Sequence, residues 1–178
     1  PADRAKTEAA FLEMLSARQA VDIADKLVQR GQLKEFDKVI TPQLLHDIES
    51  AATILATSAV LSNAARQAIG FQWGACGWRH CGAQADIVMT LSQFRMHYSI
   101  SSTVERRFYL DIAKRGIDEV LAFGVAEGFL PASAVSSSEY LSRETLELIL
   151  PQQADPNEAR PLNAPEPIEE AQQKYEEA

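Results

Sequence analysis

The two cysteines are the residues best placed to do chemistry. Both fall in one stretch, Gly70-Phe71-Gln72-Trp73-Gly74-Ala75-Cys76-Gly77-Trp78-Arg79-His80-Cys81-Gly82, which also holds both tryptophans and half of the eight glycines. Three chemistries fit this pattern. Cys76 and Cys81 are separated by enough chain, with Gly77 between them, to meet disulfide geometry, and a staple over so small a loop contributes about 2 kcal/mol in an oxidising compartment. Alternatively, Cys81 stands at the start of a helical pattern beside Arg79 and His80, which favours a reactive thiolate. The spacing is not the C-x-x-C of thioredoxin-like enzymes, and no βαβ pattern surrounds it. The third chemistry is zinc held by Cys76, His80 and Cys81. A structural zinc wants four ligands, so His46 or His97 would have to complete the set.

Nothing else in the chain carries a catalytic signature. His46 and His97 fall near helix ends, and no Ser/His/Asp arrangement suggests a triad. The pairs Asp22/Asp25 and Asp47/Glu49 read as solvated helix faces. No phosphate-binding G-x-x-x-x-G-K-[ST] loop and no G-x-G-x-x-G after a strand occurs. No pair of Glu-x-x-His motifs supports a di-iron bundle. The expectation is a protein that is not an enzyme and carries no cofactor or metal.

The elements that must position this loop are helical. A first helix is predicted over 4–30, with Phe11, Met14, Leu15, Val21, Ala24, Leu27 and Val28 forming an apolar stripe and Gly31 as its C-cap. Thr41-Pro42 restarts the chain, because Thr caps free amides and Pro at the first helical position loses no needed donor. The second helix is predicted to run unbroken to about residue 69, and its scarcity of charge marks it as the most buried. A third covers 83–97, with Ala85, Val88, Leu91 and Phe94 inward. Ser102-Thr103-Val104-Glu105 reads as a capping box. It opens a fourth helix to about 123, with Phe108, Ile112, Ile117, Val120 and Leu121 on one side and Gly124 and Gly128 ending it. Residues 141–150 add one short helix. The predicted fold class is all-α: an antiparallel four-helix bundle over 1–150, with the Gly/Trp/Cys loop between its second and third helices.

Charge separates the rest. The chain of 178 residues has a net charge of −8 and a hydrophobic fraction of 46%. Residues 151–178 hold five of the eight prolines, seven acidic side chains and two basic ones, a net of −5. That segment is predicted to be an extended acidic tail. The acidic balance disfavours nucleic acid, which needs a basic stripe. No run approaches the roughly 20 apolar residues of a membrane span. The first residue is Pro1 rather than Met, as expected either of a mature chain whose targeting peptide has been removed or of a trimmed chain.

Two features point to a partner. Phe71, Trp73 and Trp78 in a Gly-rich loop either cap the core or form a docking patch, since Trp is enriched at binding hot spots. Arg79 lies beside them. Arg106, Arg107, Lys114 and Arg115 give the fourth helix a basic face, which a complementary surface would be steered to.

The segment Cys76-Gly77-Trp78-Arg79-His80-Cys81-Gly82-Ala83, followed by Phe108-Tyr109-Leu110-Asp111-Ile112-Ala113-Lys114-Arg115, resembles thylakoid-lumenal photosystem-associated helical proteins. The architecture is similar to the PsbQ-type extrinsic subunits of photosystem II over residues 4–130. The resemblance implies a peripheral lumenal subunit, without a transmembrane span, that docks on and stabilises membrane-intrinsic photosystem subunits beside other extrinsic subunits. Photosystem II is favoured over photosystem I. It also implies the chloroplast thylakoid lumen, where a Cys76–Cys81 disulfide would form. The competing expectation is a thiol-based redox, assembly or repair factor that uses Cys76 and Cys81.

Overall fold

A computed structural model describes residues 2–32, 34–70 and 82–135. The loop residues 71–81 and everything from 136 onward lie outside the described residues. The predicted disulfide, the short helix at 141–150 and the tail all fall there.

The described chain is all-helical, with no strand among the described residues. Five α-helices succeed one another: α1 (Ala2–Gln29), α2 (Pro42–Ala56), α3 (Asn63–Ile69), α4 (Ala83–His97) and α5 (Thr103–Ala126). Short 3-10 turns occupy Phe36–Lys38 and Ala132–Ala134. α1 packs against α2 and α5, and α4 packs against α5 and α2. Phe11, Met14, Ile48, Leu55, Ile87, Leu91, Leu110, Ile117 and Leu121 fill the space between them.

The predicted starts and stops act as their chemistry requires. Thr41 Oγ1 accepts from the Leu44 amide at 3.0 Å, with Pro42 opening α2. Ser102 Oγ accepts from the Glu105 amide at 3.2 Å and opens α5. α1 closes at Gly31, whose φ is +72°.

Three expectations are corrected. The single second helix is two helices, because its polar side chains find partners other than a continuing helix. Thr53 and Thr57 bond back to the carbonyls of Glu49 and Thr53. Ser58 pairs its hydroxyl with Thr7 of α1 at 2.6 Å. Ser62 then caps a new helix through the Ala65 amide, and Arg66 donates to the Ser58 carbonyl across the break.

The fourth predicted helix does not stop at Gly124. A side chain there would meet Leu130 Cδ1 at 2.8 Å and Phe11 Cδ1 at 2.9 Å, so the glycine serves close packing inside α5. The stop falls at Gly128, with φ +82°, where the Phe129 amide reaches back to the Gly124 carbonyl at 2.8 Å and the Gly128 amide to the Val125 carbonyl at 3.1 Å. This is the Schellman arrangement, which satisfies carbonyls the helix leaves free.

Nor is the second segment the most buried. Half of the 24 residues of α5 are buried, against four of the 15 in α2. The apolar-only stripe of α2 covers one side, whereas α5 is enclosed by α1 on one flank and α4 on the other.

Gly70 and Gly82 form the neck from which residues 71–81 leave and return. Gly82 has φ +100° and ψ 154°, a region that only glycine occupies readily. A Cβ there would also run into the Gly70 carbonyl oxygen. Gly128, by contrast, has open space around it. Gly128→Ala should therefore cost about 1 kcal/mol of stability, the ordinary penalty of a left-handed side chain. Gly82→Ala should cost more, because strain and a backbone clash add. Paired denaturant titrations check this, and equal losses would show that the neck opens freely.

Candidate functional site

Burial on two sides forces the charged residues of α5 to find partners, and α1 supplies them. Along α1, Met14, Arg18, Val21, Asp25 and Val28 share one inward face, and all five are buried. Along α5, Lys114 and Asp118 stand among Leu110, Ile117 and Leu121. The helices run antiparallel, so Arg18 meets Asp118 while Asp25 meets Lys114. Arg18 Nε donates to Asp118 Oδ1 at 2.8 Å, and Arg18 also pairs with Asp22 one turn away. Lys114 Nζ lies 3.0 Å from Asp25 Oδ2 and 3.5 Å from Asp22 Oδ1. Gln29 donates to Asp25 at 3.0 Å, and Arg107 Nε stands 3.4 Å from its other oxygen.

The result is a charged seam between α1 and α5. Asp22, with its side chain 41% exposed, keeps the seam in touch with water at one edge. Asp118 is its innermost member, at 1% exposure, and its Oδ2 makes no hydrogen bond. Burial therefore pushes the Asp118 carboxyl above the ordinary carboxylate value, against the pull of Arg18. Burial pulls the Arg18 guanidinium down, but Asp118 and Asp22 outweigh it and hold it above its ordinary value. Among the described residues no group of three or more His, Cys, Asp or Glu is placed to hold a metal ion. The chemistry of the seam is pairing: it fixes α1 on α5 in one register.

The basic face predicted for this helix is correspondingly smaller. Arg106 and Lys114 are buried, not solvated. Arg106 Nε donates to the Tyr98 carbonyl at 2.6 Å, satisfying the end of α4. Asp22 and Asp25, expected as a solvated pair, belong to the seam. Of the described residues predicted to meet a partner, Arg115 is exposed and Arg107 is half-exposed, with its side chain at 47%. Phe71, Trp73, Trp78 and Arg79, with Cys76, His80 and Cys81, lie outside the described residues. His46 is on α2 and His97 ends α4, and neither joins a site.

The correction at Phe108 has the opposite sense. Expected inside, it is 60% exposed. The side of α5 facing the core begins at Arg106 and Leu110, which turns Val104 and Phe108 outward together. Val104 is 78% exposed and Ile100, in the link from α4, 81%. Met89 and Met96 are exposed on α4, one above the other two turns apart. Scattered apolar side chains are ordinary on a surface, but large ones at consecutive turns of one helix are the pattern of a contact face.

No protein-family model, no curated protein and no solved structure matches this chain.

Asp118 makes the seam measurable. Its carboxyl is raised in the folded state, so the native protein holds that proton to higher pH than the unfolded chain does. The stability from this group is fully present below the unfolded carboxylate value and is lost as pH rises through the raised one. Asp118→Asn keeps an acceptor for Arg18 and should remove that part of the pH dependence between the two values. Asp118→Ala leaves Arg18 with Asp22 alone and should cost about 3 kcal/mol. Urea titrations of both variants across pH check this. A pH profile unchanged in Asp118→Asn would show that Asp118 is not the titrating group.

Proposed function

We propose that this chain is a non-enzymatic docking subunit, built as an antiparallel four-helix bundle in which α2 and α3 together make the second, broken helix. It attaches to the lumenal face of a photosynthetic membrane complex, photosystem II before photosystem I, and stabilises the membrane-intrinsic subunits there. The bundle reading is supported by the mutual packing of α1 with α2 and α5 and of α4 with the same two helices. The photosystem reading is supported by the sequence resemblance around Cys76–Ala83 and Phe108–Arg115. The peripheral reading agrees with one further fact: no helix among the described residues is long and apolar enough to cross a membrane.

One observation carries the docking reading, the outward row of Ile100, Val104 and Phe108 on α5 and the link that leads into it. Apolar side chains at these exposures gain from being covered, about 25 cal/mol per Å² of surface removed from water. The aromatic loop at 71–81 and the acidic tail are further contact elements in this reading.

Isolated thylakoid complexes should retain the protein at low salt and release it in a high-salt wash. A protein recovered only from stroma or cytosol overturns the assignment. Val104→Glu with Phe108→Glu should lower the retained fraction roughly tenfold, since one or two central contacts usually carry such an interface. The melting temperature should stay the same, because both side chains already face solvent.

A further inference from the structure

The chain has three methionines, and the fold divides them sharply. Met14 lies in the core at 0% exposure, where a flexible thioether fills an irregular space. Met89 and Met96 are 61% and 68% exposed on α4. Neither fills a core space. The inner side of α4 is made by Ile87, Leu91 and Phe94, all buried, and with it the helix packs on α5 and α2. A step of two residues turns about 200° round a helix. Positions 89, 93 and 96 therefore stand on the far side from 87, 91 and 94. Met89, Gln93 and Met96 are accordingly all exposed, in one row along the helix. Ile100, in the link that follows, carries the apolar character past the helix end.

A thioether reacts with hydrogen peroxide in one step. The sulfur lone pair attacks one peroxide oxygen, and the O–O bond breaks as the S–O bond forms. The proton on the transferred oxygen passes to the departing hydroxide, which leaves as water. Sulfur is oxidised by two electrons and the peroxide is reduced. The sulfur has only to be reached. The product, a sulfoxide, replaces a flexible apolar side chain by a polar one and is reversible by dedicated reductases. On α4 this change would fall on both apolar members of the same row.

We infer that Met89 and Met96 form a paired oxidation site on the outer row of α4, where hydrogen peroxide converts an apolar edge into a polar one without disturbing the bundle. Their exposure makes the two sulfurs reachable, and their place opposite the packed side leaves the core out of the change. Met14, enclosed by that core, is the internal control. The site goes beyond the docking reading and does not depend on it.

The test treats the native full-length protein with hydrogen peroxide and follows each methionine peptide by mass spectrometry. Met89 and Met96 should both oxidise at least about tenfold faster than Met14, which reacts only when the native state opens. Comparable rates for all three, or protection of either exposed methionine, overturn the inference. In denaturing urea the difference should vanish, and a difference that persists there also overturns it. The oxidised protein should elute earlier from a hydrophobic-interaction column with unchanged circular dichroism. Met89→Leu with Met96→Leu keeps the row apolar and removes both sulfurs, so its elution should not move under the same treatment. That comparison separates the methionines from any thiol oxidation. An unmoved elution of the oxidised wild-type chain, an equal shift in the variant, or a loss of helix content on oxidation each overturns the inference. No partner is present, so failure here is distinct from failure to bind thylakoid complexes.

Discussion

Asp118 sits at 1% exposure on the most enclosed of the described helices. Taking a carboxylate out of water carries a penalty of several kcal/mol that only a close cation with good geometry offsets. That requirement propagates outward. Arg18 must reach Asp118, so α1 must run antiparallel to α5 at one register. With that register set, Asp25 arrives opposite Lys114, and Asp22 stands between the two cations. The apolar residues on the same face of α1, Met14, Val21 and Val28, are then carried into the core with Arg18 and Asp25. Apolar contacts alone would permit α1 to slide by a turn with modest loss, whereas sliding would strand a buried charge. The seam therefore acts as a specificity device more than as a source of net stability.

Other cations do similar work at helix ends. Arg106 gives its guanidinium to the Tyr98 carbonyl, and Arg95 gives its own to the Ile40 carbonyl at the entrance to α2. Both tie separate segments together through backbone oxygens, and the Tyr98 oxygen stands at a helix end, where the last carbonyls have no partner within the helix. Between these ties the helices approach closely where side chains are small. At Gly116 an added Cβ would stand 2.7 Å from Ile87 Cγ1, which shows how near α4 and α5 lie. The two helices together present one wall, cemented on its inner side by Ile87, Leu91, Leu110 and Ile117 and left apolar on its outer side at Met96 and Phe108.

What is legible in the sequence is local. Thr41-Pro42, Ser102 and Gly31 announce helix ends through chemistry confined to a few residues, and each acts as expected. The break in the second segment is written there too, in Ser58, Ser62 and Asn63. Its decisive partner, Thr7, lies 51 positions away, beyond the reach of periodicity. The seam is the larger omission. Arg18 and Asp25 stand within the apolar stripe of α1 at its own spacing, and Lys114 and Asp118 do the same on α5. Charges inside a buried stripe on two helices are the available signal. Taken one helix at a time they look like solvated faces, because a charge shows its burial only when the opposing helix is known. Phe108 misleads for the mirror reason: its aromatic type argues for the interior, although Arg106 and Leu110 fix the inner side of α5 elsewhere.

Moving those charges inside changes what kind of contact the protein can make. A helix with Arg106, Arg107, Lys114 and Arg115 all in solvent would attract an acidic partner at long range, with an attraction that salt screens strongly. With Arg106 and Lys114 committed to Tyr98 and Asp25, the exposed cations among these four reduce to Arg107 and Arg115, and Arg107 already leans toward Asp25. Long-range steering by this helix is correspondingly weak. What α5 offers instead is short-range: an apolar row that binds only after close, shape-matched approach, framed by two arginines that set orientation. The acidic excess sits elsewhere, with −5 of the net −8 in residues 151–178. Attraction at a distance and adhesion on contact are thus assigned to different parts of the chain.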